Sequence, residues 1–308
     1  MQPFFSKTGI AALREWCHHR PLFALDYDGT LTTLANDPRE APLAANIQTL
    51  VRRLRQFVPV AILSGRHRPE LATLLDGVEV DFMIGNHGLD WGDPTRPELQ
   101  RAQGLVENWL EQLQVAPLPT VAPAGWSRRW SGGQVDLPGV WVEDKQYTLT
   151  LHYRNAADPD QALAVISAAL SGLQPAPQIS GGKRVVNLFP NVETNKGSAL
   201  QRLMAEQGSS RAIFFGDDDT DEDVFRLAHP AILGVRVGWH PDSAARLYLR
   251  RQPEMSKALA YSLACLRRAA QHGHPARVLV LFASITGQNR PDAGSLITAG
   301  TENRCSGS

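Results

Sequence analysis

Three short apolar runs each stop abruptly at a polar loop, and this repetition leaves few architectures open. Leu22–Leu25 ends in Asp26-Tyr27-Asp28-Gly29-Thr30, Val60–Leu63 ends in Ser64-Gly65-Arg66, and Phe82–Ile84 ends in Gly85-Asn86-His87-Gly88. A brief apolar run bounded by turn formers is the pattern of a strand buried on both faces of a parallel sheet. Between the runs, residues 42–57 carry Leu43, Ile47, Leu50, Val51 and Leu54 at helical spacing, and residues 69–75 predict a shorter helix. Strands alternating with helices imply parallel pairing through right-handed crossovers. Chemistry then belongs at the C-terminal ends of the strands, where open α/β sheets bind ligands.

After a helix predicted near residues 97–113 the rhythm breaks. A passage with Pro117, Pro119 and Pro123 leads to residues 140–143 and 148–153, which alternate as strands do; Asp158-Pro159 then opens an amphipathic helix to Leu170, and residues 183–188 predict a further strand. From Asn195 the first rhythm resumes, with a helix at 197–206, a strand at 212–215 ending in Gly216-Asp217-Asp218, a helix from Asp221, a strand at 232–237 and a closing helix at 254–270. The expected class is α/β, a Rossmann-like doubly wound parallel sheet formed by residues 1–95 and 191–270, with an α+β unit at 96–190 inserted within it. Residues 271–308, rich in Gly, Ser, Asn and Thr, predict a flexible tail.

Composition narrows the partners. With 43% apolar and 20% charged residues over 308 positions, the chain can bury a core and is not a disordered or low-complexity sequence. Its 31 basic and 31 acidic side chains cancel, so no overall field draws it to nucleic acid or to an anionic membrane. The longest strongly apolar stretch, 278–285, is far shorter than the roughly 20 residues of a membrane helix, and residues 1–10 lack the apolar segment of a signal peptide; a cytoplasmic location is expected. Cys17, Cys265 and Cys305 show no metal-ligand spacing and fit free thiols in a reducing compartment. Gly182-Lys183 is followed by Arg184, so there is no Walker A loop, and no Gly-x-Gly-x-x-Gly, His-Glu-x-x-His or Cys-x-x-Cys occurs.

Asp26 and Asp28 are two carboxylates two residues apart at a strand end. One could attack phosphorus while the other moves a proton, with Gly29 letting the chain turn; the same tripeptide also serves as a plain polar turn. Residues 216–223, Gly-Asp-Asp-Asp-Thr-Asp-Glu-Asp, crowd acidic groups that need a compensating cation or solvent. An EF-hand is ruled out, because Glu222 stands where that loop requires glycine and Ala228 where it requires glutamate. Mg²⁺ fits better: Asp217, helped by Asp218 or Asp221, can complete a site with Asp26, while the acidic start of a helix accounts for Glu222 and Asp223. Ser64 with Gly65 and Arg66, and Lys196 with Gly197, offer donors to a phosphoryl group.

The ordered set Asp26-x-Asp28-Gly-Thr, Ser64, Lys196 and Gly216-Asp217-Asp218-x-Thr-Asp221 resembles the four motifs of the haloacid dehalogenase superfamily of phosphotransferases. Gly85-Asn86-His87-Gly88, Val142-Glu143-Asp144-Lys145, His152-Tyr153-Arg154, Gly182-Lys183-Arg184-Val185 and Asn195-Lys196-Gly197 narrow the resemblance to its trehalose-6-phosphate phosphatase family, over about residues 22–268. That resemblance implies a Mg²⁺-dependent hydrolysis of trehalose 6-phosphate through an aspartyl phosphate. Asp26 is then the nucleophile, Asp28 the general acid and base, and Ser64 and Lys196 the phosphoryl clamp. Asp217, Asp26 and the Asp28 carbonyl become the metal ligands, with Asp218 and Asp221 beside them. The inserted unit is the cap, and Glu143, Lys145, Arg154 and Lys183 point toward the sugar, with Gly65, Arg66 and His87 on the core side. The family's cap motif ends in Glu where this chain has Asn187, which bears on the hydroxyl pattern recognised. A phosphatase for another glycosyl phosphate, such as glucosylglycerol phosphate or mannosylglycerate phosphate, and a catalytically silent sugar-phosphate-binding module are the alternatives.

Overall fold

The structure, a computed structural model, describes residues 1–34, 41–114, 127–129, 138–182, 184–190, 194–227 and 229–271. The proline-rich passage, Lys183 and the expected flexible tail lie outside the described residues. The chain begins with β1 (Gln2–Pro3) and α1 (Lys7–His18), whose Ser6 side chain accepts from the Gly9 amide as an N-cap. The three apolar runs follow as β2 (Leu22–Leu25), β3 (Val60–Leu63) and β4 (Phe82–Ile84), separated by α2 (Ala45–Arg55) and α3 (Arg68–Leu74). Next come α4 (Pro97–Gln112), β5 (Ser127–Arg129), β6 (Trp141–Asp144), β7 (Leu149–His152), α5 (Pro159–Leu170), β8 (Gln178–Gly182) and β9 (Val185–Phe189). The last part holds α6 (Lys196–Glu206), β10 (Ala212–Gly216), α7 (Glu222–Phe225), β11 (Ile232–Val237), β12 (Leu247–Leu249) and α8 (Met255–Gln271).

Seven strands form one parallel sheet in the order β1-β12-β11-β10-β2-β3-β4. The period of two shows in which core each residue joins. Phe23, Leu25, Ile62 and Phe215 meet Leu13, Val51, Leu71 and Leu259 from α1, α2, α3 and α8, whereas Leu22, Ala24, Leu63 and Phe214 meet Leu200, Leu203, Val224 and Phe225 from α6 and α7. Helices on both faces explain why these strands are apolar throughout rather than alternating. Strand order departs in opposite directions from β2, toward β3 and β4 on one side and β10 to β12 on the other, so the crevice at the carboxyl ends of β2 and β10 is a topological switch point.

The inserted strands form a second, antiparallel sheet, β5-β6-β7-β9-β8. Val142, Leu149, Leu151, Val186 and Leu188 pack against Val106 and Trp109 of α4 and Ile166 and Leu170 of α5. The rest of the architecture is an α/β core carrying an α+β insertion, as the sequence predicts. Three details differ. The two-residue β1 is too short to be foreseen, and α1 is an element not expected above although Ala12, Leu13, Trp16 and Cys17 recur at helical spacing; β8 is rich in glycine and serine; and Arg184, at φ +62°, turns the β8–β9 hairpin so that β9 starts at Val185 rather than 183. Among the described residues no helix is long and apolar enough to cross a membrane.

Candidate active site

At the end of β2 the Asp26 amide still donates to the Phe215 carbonyl (2.9 Å), which holds its side chain at the mouth of the crevice. The chain then turns, with the Leu31 and Thr32 amides both donating to the Tyr27 carbonyl. Gly29 has φ +77°, and a Cβ there would lie 2.1 Å from an Asp217 carboxylate oxygen, so only glycine fits. Asp26 is 4% exposed, and burial pushes its carboxyl well above the usual range, with Lys196 opposing and Asp221, Asp217 and Asp218 reinforcing the shift.

Lys196 is the first residue of α6, where a reciprocal capping box between Asn195 and Ser198 fixes the helix start. Its buried Nζ donates to Asp26 Oδ1 (2.8 Å) and to Asp221 Oδ1 (2.7 Å). Burial opposes this charge, yet Asp221 and Asp26 together hold the ammonium well above its ordinary pKa. Asp221 also organises the acidic loop, its Oδ2 accepting from the Asp217 and Asp218 amides (2.7 and 3.0 Å). Burial pushes its carboxyl up to about 6 against the pull of Lys196. Asp218 Oδ1 accepts from the Thr220 amide and hydroxyl and from the Asp221 amide. Although burial opposes it, Lys196 and the Thr220 bond bring that carboxyl down to about 2.

Asp26, Asp217 and Asp221 each bring a carboxylate oxygen within 4.8 Å of the others, a group able to hold a metal ion, and Asp218 is not part of it. Three carboxylates against one ammonium leave an excess of buried negative charge. The donors are hard oxygens, without sulfur or imidazole, and so suit a hard divalent cation. Asp221, whose oxygens already serve Lys196 and two amides, is chiefly the organiser of this group.

Ser64 is fully buried; its hydroxyl accepts from the Arg66 amide (3.2 Å) and its carbonyl from the His87 amide (2.9 Å), joining the loops after β3 and β4. A Cβ on Gly65 would lie 2.4 Å from the His87 ring, so this glycine makes room for the imidazole. His87 sits edge-on to Phe189 at 4.9 Å, and burial, with Lys196 and Lys145 adding, lowers its pKa to about 3, which keeps the ring neutral. Arg66 grips Asp28 with two parallel bonds, Nε to Oδ2 and Nη2 to Oδ1, both 2.6 Å, while its Nη1 pairs with Glu70.

On the antiparallel sheet, Glu143 lies opposite Thr150 and Thr150 opposite Asn187. Val142, Leu151, Val186 and Leu188 fill the helix side, so this polar row occupies the other face. Glu143 Oε2 lies 2.7 Å from His152 Nε2 and 3.7 Å from Lys145 Nζ. Burial opposes its charge, but Lys145 and His152 hold its carboxyl at about 2. The charge of Glu143 is felt by Arg66 and Glu70 and that of Lys145 by Glu70, which places this polar face toward the core site. Thr150 Oγ1 donates to Asn187 Oδ1 (2.8 Å), so the amide oxygen is already used within the sheet. β7 spans Leu149–His152, within the expected 148–153; the Ala156 amide donates to the Tyr153 carbonyl, and Arg154 lies exposed in that turn.

Several supporting residues escape the sequence reading. Arg236 Nη1 donates to the Asp218 carbonyl (3.0 Å) and to Glu222 Oε1 (2.8 Å), and Glu222 Oε2 accepts from the Ala244 amide (3.0 Å). The clue was a single charge within the apolar strand β11. Glu70 stands four residues beyond Arg66, a helical spacing for an ion pair. Gln252 Nε2 donates to the Thr30 and Leu31 carbonyls (3.1 and 3.0 Å), and nothing in the local sequence marks it.

This chain is similar to several known proteins. The chain is 30% identical over 267 residues to "Probable trehalose-phosphate phosphatase 9" of Oryza sativa subsp. japonica, covering 78% of this chain and 69% of that protein. It is 30% identical over 261 residues to "Trehalose-phosphate phosphatase" of Mycobacterium ulcerans (strain Agy99), covering 80% of this chain and 63% of the relative, so it spans less than two thirds of the mycobacterial protein. In fold it is similar to a solved "trehalose-6-phosphate phosphatase related protein", with TM-score 0.63, 23% identity and coverage of 80% of this chain and 99% of the other. A family model described as Trehalose-phosphatase matches residues 24–242, and with most of the chain inside that match, Asp26, Ser64, Lys196 and Asp217 included, the chain belongs to the trehalose-phosphatase family.

Proposed function

We propose that this chain is a Mg²⁺-dependent phosphatase that converts trehalose 6-phosphate to trehalose and phosphate through an aspartyl phosphate on Asp26, acting in the cytoplasm on this small-molecule substrate. The observation that supports it most is the buried Lys196 ammonium between Asp26 and Asp221, beside Asp217: a carboxylate with a fixed cation at its side is placed to receive a phosphoryl group. The substrate comes from the names of the relatives above.

Asp26 attacks phosphorus, the bond from phosphorus to the sugar oxygen breaks, and Asp28, once Arg66 has turned from it to the phosphoryl group and it has taken up a proton, gives that proton to the sugar oxygen. Water then attacks the phosphoryl group, Asp28 takes its proton, and the bond to Asp26 breaks to release phosphate. Lys196 and Ser64 hold the phosphoryl oxygens, with Gly65 and Arg66 completing the cradle. Asp26, Asp217 and the Asp28 carbonyl would hold Mg²⁺, which supplies positive charge to the phosphoryl oxygens. Residues 96–190 act as a cap over the core formed by 1–95 and 191–270, and Glu143, Lys145 and Asn187, with Arg154, Lys183 and His87, read the sugar.

Asn187 favours one second reading, a phosphatase for another glycosyl phosphate, because an amide whose oxygen is spent on Thr150 presents a different pattern from a carboxylate. Phosphate release from trehalose 6-phosphate, glucosylglycerol phosphate, mannosylglycerate phosphate, glucose 6-phosphate and p-nitrophenyl phosphate, with Mg²⁺ and with EDTA, separates the two. The highest kcat/KM on trehalose 6-phosphate, lost in EDTA, is the expected result. A higher value on another ester selects the second reading, and no metal-dependent hydrolysis of any ester overturns both.

A further inference from the structure

Four of the five buried side-chain polar atoms that lack a hydrogen-bond partner among the described residues lie close in the chain order of the core: His67 Nδ1, Asn86 Nδ2 and His87 Nδ1 on the loops after β3 and β4, and Glu70 Oε2 in the first turn of α3. Buried polar atoms are almost always paired, so orphans gathered in one place mark where something polar belongs. The loops stand against the inserted sheet. His67 Nε2 lies 3.0 Å from Gln146 Oε1, and Thr148 Oγ1 donates to Asn86 Oδ1 at 2.8 Å, so both residues already spend one polar atom on the turn after β6.

Glu70 is the most demanding of the four. Its Oε1 is taken by Arg66, while Oε2 is shielded from solvent and has no donor. Burial raises its carboxyl above the usual range in spite of the adjacent guanidinium, as a half-satisfied carboxylate should behave. An acceptor of this kind needs a donor. The phosphate ester dianion has no proton to donate, and Glu70 is not in the carboxylate group able to hold a metal. Water and the sugar hydroxyls are the reactants that can donate, and the test below separates them. Glu70 also feels the charges of Glu143 and Lys145, the residues across the boundary on the polar face of the sheet, so a sugar held by them is within its neighbourhood.

We infer that Glu70 is a specificity-determining residue whose Oε2 accepts a hydrogen bond from one hydroxyl of the sugar, so that the core as well as the inserted sheet reads the leaving group. This rests on the sugar-phosphatase reading above. A site that hydrogen-bonds a hydroxyl discriminates strongly against an analogue lacking it, because the buried partner is then left unpaired.

The test uses the full chain and Glu70→Gln, which keeps an oxygen for Arg66 and replaces the orphan acceptor by an NH₂ donor. The ratio of kcat/KM for trehalose 6-phosphate to that for p-nitrophenyl phosphate, which has no sugar, should fall about 10–100-fold. A series of monodeoxy trehalose 6-phosphates on the wild-type protein should show one analogue impaired by a similar factor, and Glu70→Gln should lose that discrimination. An equal fall on both esters would assign Glu70 only to positioning Arg66, and an unchanged ratio would assign Oε2 to solvent; either overturns the inference. Should the variant not fold, wild-type indifference to every single hydroxyl deletion overturns it as well. Wild-type hydrolysis of p-nitrophenyl phosphate but not of trehalose 6-phosphate would instead refute the substrate, and the ratio would then be measured with the preferred sugar phosphate. Wild-type inactivity on every ester refutes the phosphatase reading and this inference with it.

Discussion

Replacing Lys196 by methionine removes the one cation among the buried carboxylates while roughly keeping the side chain's length. Its Nζ makes charge-assisted bonds of 2.8 Å to Asp26 and 2.7 Å to Asp221, and each such bond contributes about 1.5–3 kcal/mol. Breaking a buried pair by deleting one partner costs about 3–5 kcal/mol, since the other charge stays behind without compensation. At about 2–4 °C per kcal/mol, the unfolding midpoint should drop by roughly 6–20 °C. The loss should depend on pH in a definite direction. Asp26 and Asp221 already have folded pKa values above their unfolded ones, so their ionisation weighs against the native state increasingly as pH rises through that interval. Without Lys196 both rise further, and protonation relieves the strain. In EDTA, where no divalent cation can substitute, thermal melts of Lys196→Met should show the larger deficit at pH 8 and a smaller one at pH 5. A variant as stable as wild type at pH 8, or equally impaired at both pH values, refutes this account of the site's electrostatics.

Other consequences are open to direct measurement. Asp26→Asn should abolish turnover of both sugar and aryl phosphates, and Asp28→Asn should reduce it about 10²–10⁴-fold, with circular dichroism showing both folded; turnover by a folded Asp26→Asn at the wild-type rate contradicts the covalent role. Asn187→Glu should change the kcat/KM ratio of trehalose 6-phosphate to glucose 6-phosphate about tenfold, equivalent to about 1.4 kcal/mol, and a ratio near one in both proteins removes Asn187 from sugar recognition. Arg236→Met takes away the bonds to the Asp218 carbonyl and to Glu222, leaving buried Glu222 with only the Ala244 amide and a distant Arg226. It should weaken Mn²⁺ binding measured by electron paramagnetic resonance by about tenfold or more, and unchanged binding shows that the acidic loop holds itself.

What could be read in the sequence follows from how local each signal is. β2, β3 and β4 match their expected bounds because helices on both faces demand short uninterrupted apolar runs, and β11 matches in spite of Arg236 within it. Asp26, Asp28, Ser64, Lys196 and Asp217 are legible for a related reason: each follows a strand or begins a helix at the same end of one sheet, so the topology gathers them. β8 was invisible because a Gln-Ile-Ser-Gly-Gly strand is held by pairing with β9 rather than by its own pattern. β7 stops one residue short of its expected end because the turn at Tyr153 is set by backbone hydrogen bonding that alternation does not record.

The residues that support the site failed to announce themselves for a different reason: their partners are far away in sequence. Gln252 reaches back more than two hundred positions to the Thr30 and Leu31 carbonyls, and Arg236 bonds Asp218 from the next strand. Motif spacing records which groups perform chemistry, whereas these contacts fix where those groups stand, and a displacement of about 1 Å can cost about 10²-fold in rate. The loop after β2 is thereby held on two sides, by Lys196 through Asp26 and by Gln252 through its carbonyls, and the acidic loop likewise by Asp221 from within and Arg236 from behind. The loops after β3 and β4 are secured differently, through Ser64 and the contacts of His67 and Asn86 with the inserted sheet. Among the described residues these loops and the first turn of α3 hold every buried side-chain polar atom without a partner except Trp16 Nε1, so under the reading proposed above the part of the crevice assigned to the sugar is also the part whose hydrogen bonding is least complete.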